Sequence, residues 1–372
     1  MDTDSNALLS WIGSKLLDIY NADAGYQWRG HSMEMIISAA AANPSVLNAS
    51  TLESLIRRVV PDAQGISGLR RLSGGASQET WAFDADLDAG KLALILRRAP
   101  GGEYRNEAAS GLDIEAAVIA QLERLGVAVP RVRYVLLPDD GLGYGFVTEH
   151  VEGETIPRKI LRDTAFDAIR PRLAFEFGRV LASIHRAPLE AMPPLRLLPA
   201  RETLVMLRAI HLKDVTPRPV LELAFRWLAD HLPAASVLPQ LVHGDFRNGN
   251  LIVGADRIRA VLDWELVHLG DPMEDLGWLC LMPWRFGAVD APVGGLGQRE
   301  DLFAGYEAGG GAVDAQRVRW WEVLGSLRWA IACADMVSVF RSGADRTVER
   351  AMVARRASEN EIDLLRLLQL GD

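Results

Sequence analysis

The chain has 372 residues, 49% of them apolar and 24% charged, with a net charge of −9. That length exceeds one ordinary core and that composition excludes long disorder, so two lobes plus an extension are expected. The acidic balance argues against nucleic acid or an anionic membrane as partner, and no apolar run approaches the ~20 residues a membrane helix needs. The start, Met1-Asp2-Thr3-Asp4, lacks the basic segment of a signal peptide. The two cysteines, Cys280 and Cys333, sit inside apolar stretches and read as buried thiols of a reducing compartment. The cytoplasm is the expected location.

Leu8, Ile12, Leu16 and Ile19 recur at helical spacing behind the caps Asp4 and Ser5. Further helices are predicted over residues 33–42 and 52–60, and Pro61 closes a helical N-terminal extension, residues 1–61. From Leu69 the period changes. Ser73-Gly74-Gly75-Ala76-Ser77 is a glycine turn between strand-like runs; strands are predicted at 92–96, 132–137 and 145–149, and a helix at 114–125. Strands with one embedded helix make a small α+β lobe, residues 62–150. Residues 151–372 turn mostly helical, with helices over 204–210 and 220–231. The exception is a short β segment within 241–263.

That segment carries the chemistry. His243-Gly244-Asp245-Phe246-Arg247-Asn248-Gly249-Asn250 precedes two apolar strands, 251–253 and 258–262, joined by a turn at 254–257 and followed by Asp263-Trp264-Glu265. In an antiparallel hairpin the residues before the first strand face those after the second. Asn250 and Asp263 therefore meet at the open end, with Asp245 on the same loop. Phosphoryl transfer needs a carboxylate to orient a hydroxyl and oxygen ligands for magnesium, and the spacing D-x-x-x-x-N supplies both.

These residues resemble the aminoglycoside phosphotransferase family, a branch of the protein-kinase-like fold, over residues 69–328. Residues 243–278 are particularly similar to the kinase-like domain fused to some acyl-CoA dehydrogenases. The resemblance implies a two-lobed α+β kinase-like fold, with the nucleotide bound by the small lobe and the substrate site in the helical lobe. It makes Asp245 the catalytic base and Asn250 and Asp263 magnesium ligands.

It also implies that Ser73, Gly74, Gly75, Ala76 and Ser77 form the nucleotide-positioning loop, where glycines let backbone N–H groups approach phosphates. Kinases place a Lys at the end of the following strand. Here Arg97 stands there, with Arg98 as the alternative on the opposite strand face. Glu115 lies in line with the apolar Val118, Ile119 and Leu122, and an inward carboxylate needs a partner; the resemblance makes that partner the strand cation. Residues 146–153 resemble the hinge, with the backbone of Glu149 and Val151 at the adenine edge.

Other residues read as structural. Asp271 caps a helix with Pro272 and Glu274 behind it. Asp275 resembles a brace of the catalytic loop, His243 orders that loop, and His185 is a core histidine. Trp284-Arg285 are candidates to touch substrate. The expected activity is ATP- and magnesium-dependent phosphorylation of a small-molecule hydroxyl, with a metabolic alcohol or hydroxyacyl compound favoured over an antibiotic. The alternatives are a true aminoglycoside kinase and a nucleotide-binding module without catalysis.

Overall fold

In the computed structural model, five short antiparallel strands make the first sheet: β1 (Ala63–Arg71), β2 (Glu79–Leu87), β3 (Gly90–Arg98), β4 (Val132–Val135) and β5 (Gly145–Glu149), in the order β1-β2-β3-β5-β4. The structure describes residues 47–72, 78–99, 110–213, 216–234, 238–343 and 346–369. The helices expected near residues 8–19 and 33–42, and the loop Ser73–Ser77, lie outside them.

Strand alternation decides what each face does. On β3, Leu94, Leu96 and Arg98 are buried on one face, where Leu94 and Leu96 pack with Leu52, Leu55 and Ile56 of helix α1 (Ala49–Val59). Asn48 caps that helix through Ser50 N–H. Arg97 points to the other face, near the ring of Phe146 on the neighbouring β5. There α2 (Leu112–Arg124) buries Leu112, Val118, Ile119 and Leu122 in a cluster that continues through the larger lobe.

That lobe is helical: α3 (Pro157–Arg162), α4 (Leu173–His185), α5 (Ala200–His211), α6 (Pro219–Asp230), α7 (Met273–Leu279), α8 (Arg299–Ala308), α9 (Ala315–Ser342), α10 (Val348–Ala354) and α11 (Ala357–Gln369). The expected hairpin is present as β7 (Leu251–Val253) and β8 (Ile258–Val261). A further pair, β6 (Gln240–Val242) with β9 (His268–Gly270), was not expected. Three-residue strands have no readable period; they exist because the sequence on either side of the hairpin is brought back together.

By length and composition α9 could cross a membrane, with a mean hydropathy of 1.5 over its most apolar stretch. Half of that stretch is buried inside the fold, and core helices meet the same criterion. Trp320, Trp321, Val323, Leu324 and Leu327 are among its buried residues, and it packs on α6, α7 and α11. Cys280 and Cys333 are buried and unbridged, as expected. Burial and the nearby Glu322 push the Cys280 thiol up to about 12.

Helices α4 and α8 cross through glycines. A Cβ on Gly305 would stand 1.9 Å from the Phe175 carbonyl oxygen, and one on Gly178 would stand 2.1 Å from that of Leu302. Both obstacles are backbone, so the helices themselves would have to separate. Gly305→Ala is expected to destabilise the protein by about 3 kcal/mol, read as a lower thermal midpoint. An unchanged midpoint would remove this crossing as a constraint.

Candidate functional site

The loop before β7 is built on Asp275. Its carboxylate is fully buried at the start of α7 and accepts the backbone N–H groups of His243 (2.8 Å) and Gly244 (2.9 Å). Gly244 sits at φ +80, where a Cβ would stand 2.6 Å from the Leu266 carbonyl, so both amides can converge only with glycine there. His185 Nε2 meets Asp275 at 3.0 Å, and its Nδ1 meets the Tyr306 hydroxyl at 2.8 Å. Burial works to raise the Asp275 carboxyl, yet hydrogen bonds from His185 and the backbone prevail and hold it below the usual carboxylate range. His243 places Nε2 on the Leu262 carbonyl (2.9 Å) and Nδ1 on the Asp245 N–H (3.1 Å). Its ring is therefore the Nε2–H tautomer, tying the loop before β7 to the residue that follows β8.

Asp245 emerges from this frame with both oxygens occupied. Oδ1 accepts Trp278 Nε1 at 2.7 Å, Oδ2 accepts Asn250 Nδ2 at 2.7 Å, and Arg247 Nε reaches both at 3.1 and 3.2 Å. Asn250 Nδ2 also donates to the Asp245 carbonyl at 3.0 Å. The amide is thus oriented with Oδ1 away from Asp245. Pairing of Leu251 with Val261, and the Leu262 N–H to Asn250 carbonyl bond of 2.8 Å, put Asn250 beside Leu262 and Asp263. Asp263 adopts φ +65, a conformation that Asp tolerates better than most residues.

Arg97 spans the lobes. Its guanidinium meets Glu115 Oε1 at 2.8 Å and Asp263 Oδ1 at 2.9 Å, while Nε donates to Gln78 Oε1 at 3.0 Å. Burial opposes the charge on Arg97, but Glu115 and Asp263 outweigh it and hold the guanidinium above its ordinary range. Arg98, the alternative cation, is buried on the other face, paired with Glu79 (2.7 Å), its cross-strand neighbour, and with the Leu142 carbonyl. It does not meet Glu115.

At the end of β5, the Glu149 N–H is taken by the Arg131 carbonyl and its side chain by Arg133. Val151 has no backbone hydrogen bond among the described residues. Asp271 accepts Met273 N–H as a cap, and its Oδ2 also holds Trp321 and Arg317. His268 pairs with Glu274 at 3.3 Å and with the Leu266 carbonyl.

Sequence reading missed four side chains here. Gln78 locks Arg97 to Glu115, donating Nε2 toward Glu115 at 3.4 Å. Trp278 lies one helical turn after Asp275, and that i, i+3 spacing was the available signal. Arg247 flanks Asp245. Arg328 stacks 3.8 Å from the Trp278 ring centre and donates to the Gly244 carbonyl at 2.7 Å, although it lies 84 residues from that glycine in sequence.

The sequence profile of the phosphotransferase enzyme family (APH) matches residues 68–312. The chain belongs to this family. The mouse acyl-CoA dehydrogenase family member 10 is 30% identical over 200 residues, 50% of this chain and 18% of that protein. The chain thus spans under a fifth of that relative. Among solved structures, a protein of Ralstonia eutropha JMP134 assigned as an aminoglycoside phosphotransferase superposes with a TM-score of 0.68 at 20% identity, covering 87% of this chain and 98% of its own. The spectinomycin phosphotransferase APH(9)-Ia, bound to ADP and spectinomycin, gives 0.58 at 15% identity, covering 86% and 98%. At these identities the likeness carries the fold: a two-lobed kinase-like α+β architecture.

Proposed function

We propose that this member of the family transfers the γ-phosphoryl group of ATP to a hydroxyl group of a small molecule in the cytoplasm. The observation that carries the reading is the Arg97 bridge. One cation from the small lobe joins Glu115 to Asp263, and Asp263 stands beside the loop on which Asn250 is oriented by Asp245. In this reading the nucleotide binds to residues 62–150. Its phosphates meet Arg97 and the backbone of Ser73, Gly74, Gly75, Ala76 and Ser77, and its adenine edge meets the backbone at Glu149 and Val151. Residues 151–372 bring the catalytic loop and the acceptor.

An amide oxygen and a carboxylate fit magnesium, which takes a few hard oxygens beside phosphate and water. Asn250 Oδ1 and Asp263 are the ligands proposed. The metal, when bound, would offset charge on the transferring phosphoryl group. Asp245 orients the acceptor hydroxyl and takes its proton as the oxygen bonds to phosphorus and the bond to ADP breaks. The likeness to an acyl-CoA dehydrogenase family member supports a metabolic alcohol or hydroxyacyl compound over an antibiotic.

ADP release, measured with aminoglycosides, amino alcohols, sugars and hydroxyacyl-coenzyme A compounds, tests the reading. Magnesium-dependent release with one of these classes is expected. Magnesium-ATP binding without turnover on any alcohol would favour a nucleotide-binding module instead.

A further inference from the structure

The surroundings of Asp245 hold an arginine that the reaction just described does not use. Arg247 spends only Nε on Asp245. Its side chain is 26% exposed, and no acceptor among the described residues meets its two terminal amino groups. The guanidinium carbon lies 4.8 Å from the ring centre of Trp284. Trp284 packs between Trp278 (5.5 Å between centres) and Trp329 (5.1 Å). Trp278 in turn donates to Asp245. Asp245 is therefore capped by one indole of a three-indole cluster and flanked by a cation with two uncommitted donors.

The buried carboxylates around this loop are already paired, Glu274 with Arg328 and His268 and Asp275 with His185 and two backbone amides. Asp263 gives one oxygen to Arg97 and is the ligand proposed for magnesium. A polycationic acceptor needs carboxylates free to bind it. An anionic one needs a guanidinium beside the reacting hydroxyl, which Arg247 provides with the fork that carboxylates and phosphates match.

We propose that the acceptor is an anionic hydroxy compound, its negative group on the terminal amino groups of Arg247 and its apolar body against Trp284 and its indole neighbours. This rests on the phosphotransferase reading and narrows its substrate class. The two sources of such an anion beside Asp245 are the acceptor itself and the nucleotide's terminal phosphate, and the experiment separates them.

Two measurements are made with magnesium and nucleotide present. The first is ADP release with 3-hydroxybutyrate, its coenzyme A thioester, glycerol, choline and kanamycin. The second is quenching of tryptophan fluorescence by the same compounds with ADP bound, which reads binding without turnover. The anionic compounds are expected to bind and react best. Arg247→Gln should weaken them by about 10–100-fold, seen in the acceptor KM and the quenching titration, with the ATP KM unchanged and Arg247→Lys partly restoring affinity.

Preference for choline or kanamycin would overturn the anionic assignment while leaving a phosphotransferase. So would an Arg247→Gln defect confined to the ATP KM, which would give the guanidinium to the nucleotide's phosphate. Absence of turnover with every compound would count against the phosphotransferase reading instead, and quenching by the anions, lost in Arg247→Gln, would still support the anion site. Absence of quenching by the anions would overturn it.

Discussion

Asp245→Asn is expected to keep the fold and the nucleotide affinity while turnover falls about 10²–10⁴-fold, the usual contribution of a positioned general base. The structure adds a local cost. Both oxygens of Asp245 accept hydrogen bonds, from Trp278 and from Asn250. An amide offers one oxygen, so its NH2 must face one of those donors. That mismatch is worth about 1–3 kcal/mol, enough to lower the thermal midpoint without unfolding the chain. Single-turnover kinetics and ADP titration on the same preparation separate the two effects. Loss of nucleotide affinity would point to a structural or metal-linked role, and unchanged turnover would remove Asp245 from the chemistry.

The second large effect is expected at Asp263. Asparagine tolerates the same positive φ and keeps the side-chain shape, so Asp263→Asn changes charge with little backbone strain. If Asp263 binds magnesium, ADP affinity in the presence of the metal should fall by more than the roughly 10–100-fold typical of an outer-shell partner. The dependence of ADP binding on magnesium should shrink with it. Thermal shift with ADP, with and without magnesium, reads both, since a ligand stabilises only the state it binds. A variant that keeps the full magnesium dependence would exclude Asp263 as a ligand. Arg97 loses half of its charge compensation in this variant, so Arg97→Gln is the control for that bridge.

The hairpin, Asp263 at its end and the buried carboxylate on α2 were readable because each is a local pattern. Asn250 and Asp263 are linked by a short antiparallel turn, and Glu115 lies on a visible apolar stripe. Trp278, Arg328 and Gln78 were not readable, because their partners lie far away in sequence or on a neighbouring strand. Even Asp271, whose cap to Met273 was legible, gives its other oxygen to Trp321, 50 residues on.

By itself the sequence carried the motifs by which the chain resembles its family, and it laid out the small set of groups from which chemistry could be built, because strand alternation, helix stripes and short turns act over a few residues. Alternation placed Arg97 and Arg98 on opposite faces of one strand, and the family resemblance favoured Arg97 with Arg98 as the alternative. Only the tertiary structure decided which face looks across the lobes, because it buries Arg98 against Glu79 and the Leu142 carbonyl and leaves Arg97 to Glu115 and Asp263. The indole cluster beside Asp245 was likewise a tertiary decision. It is assembled from α7, the segment after it and α9, and it meets Asp245 because the buried Asp275 carboxylate holds the loop before β7 down onto α7.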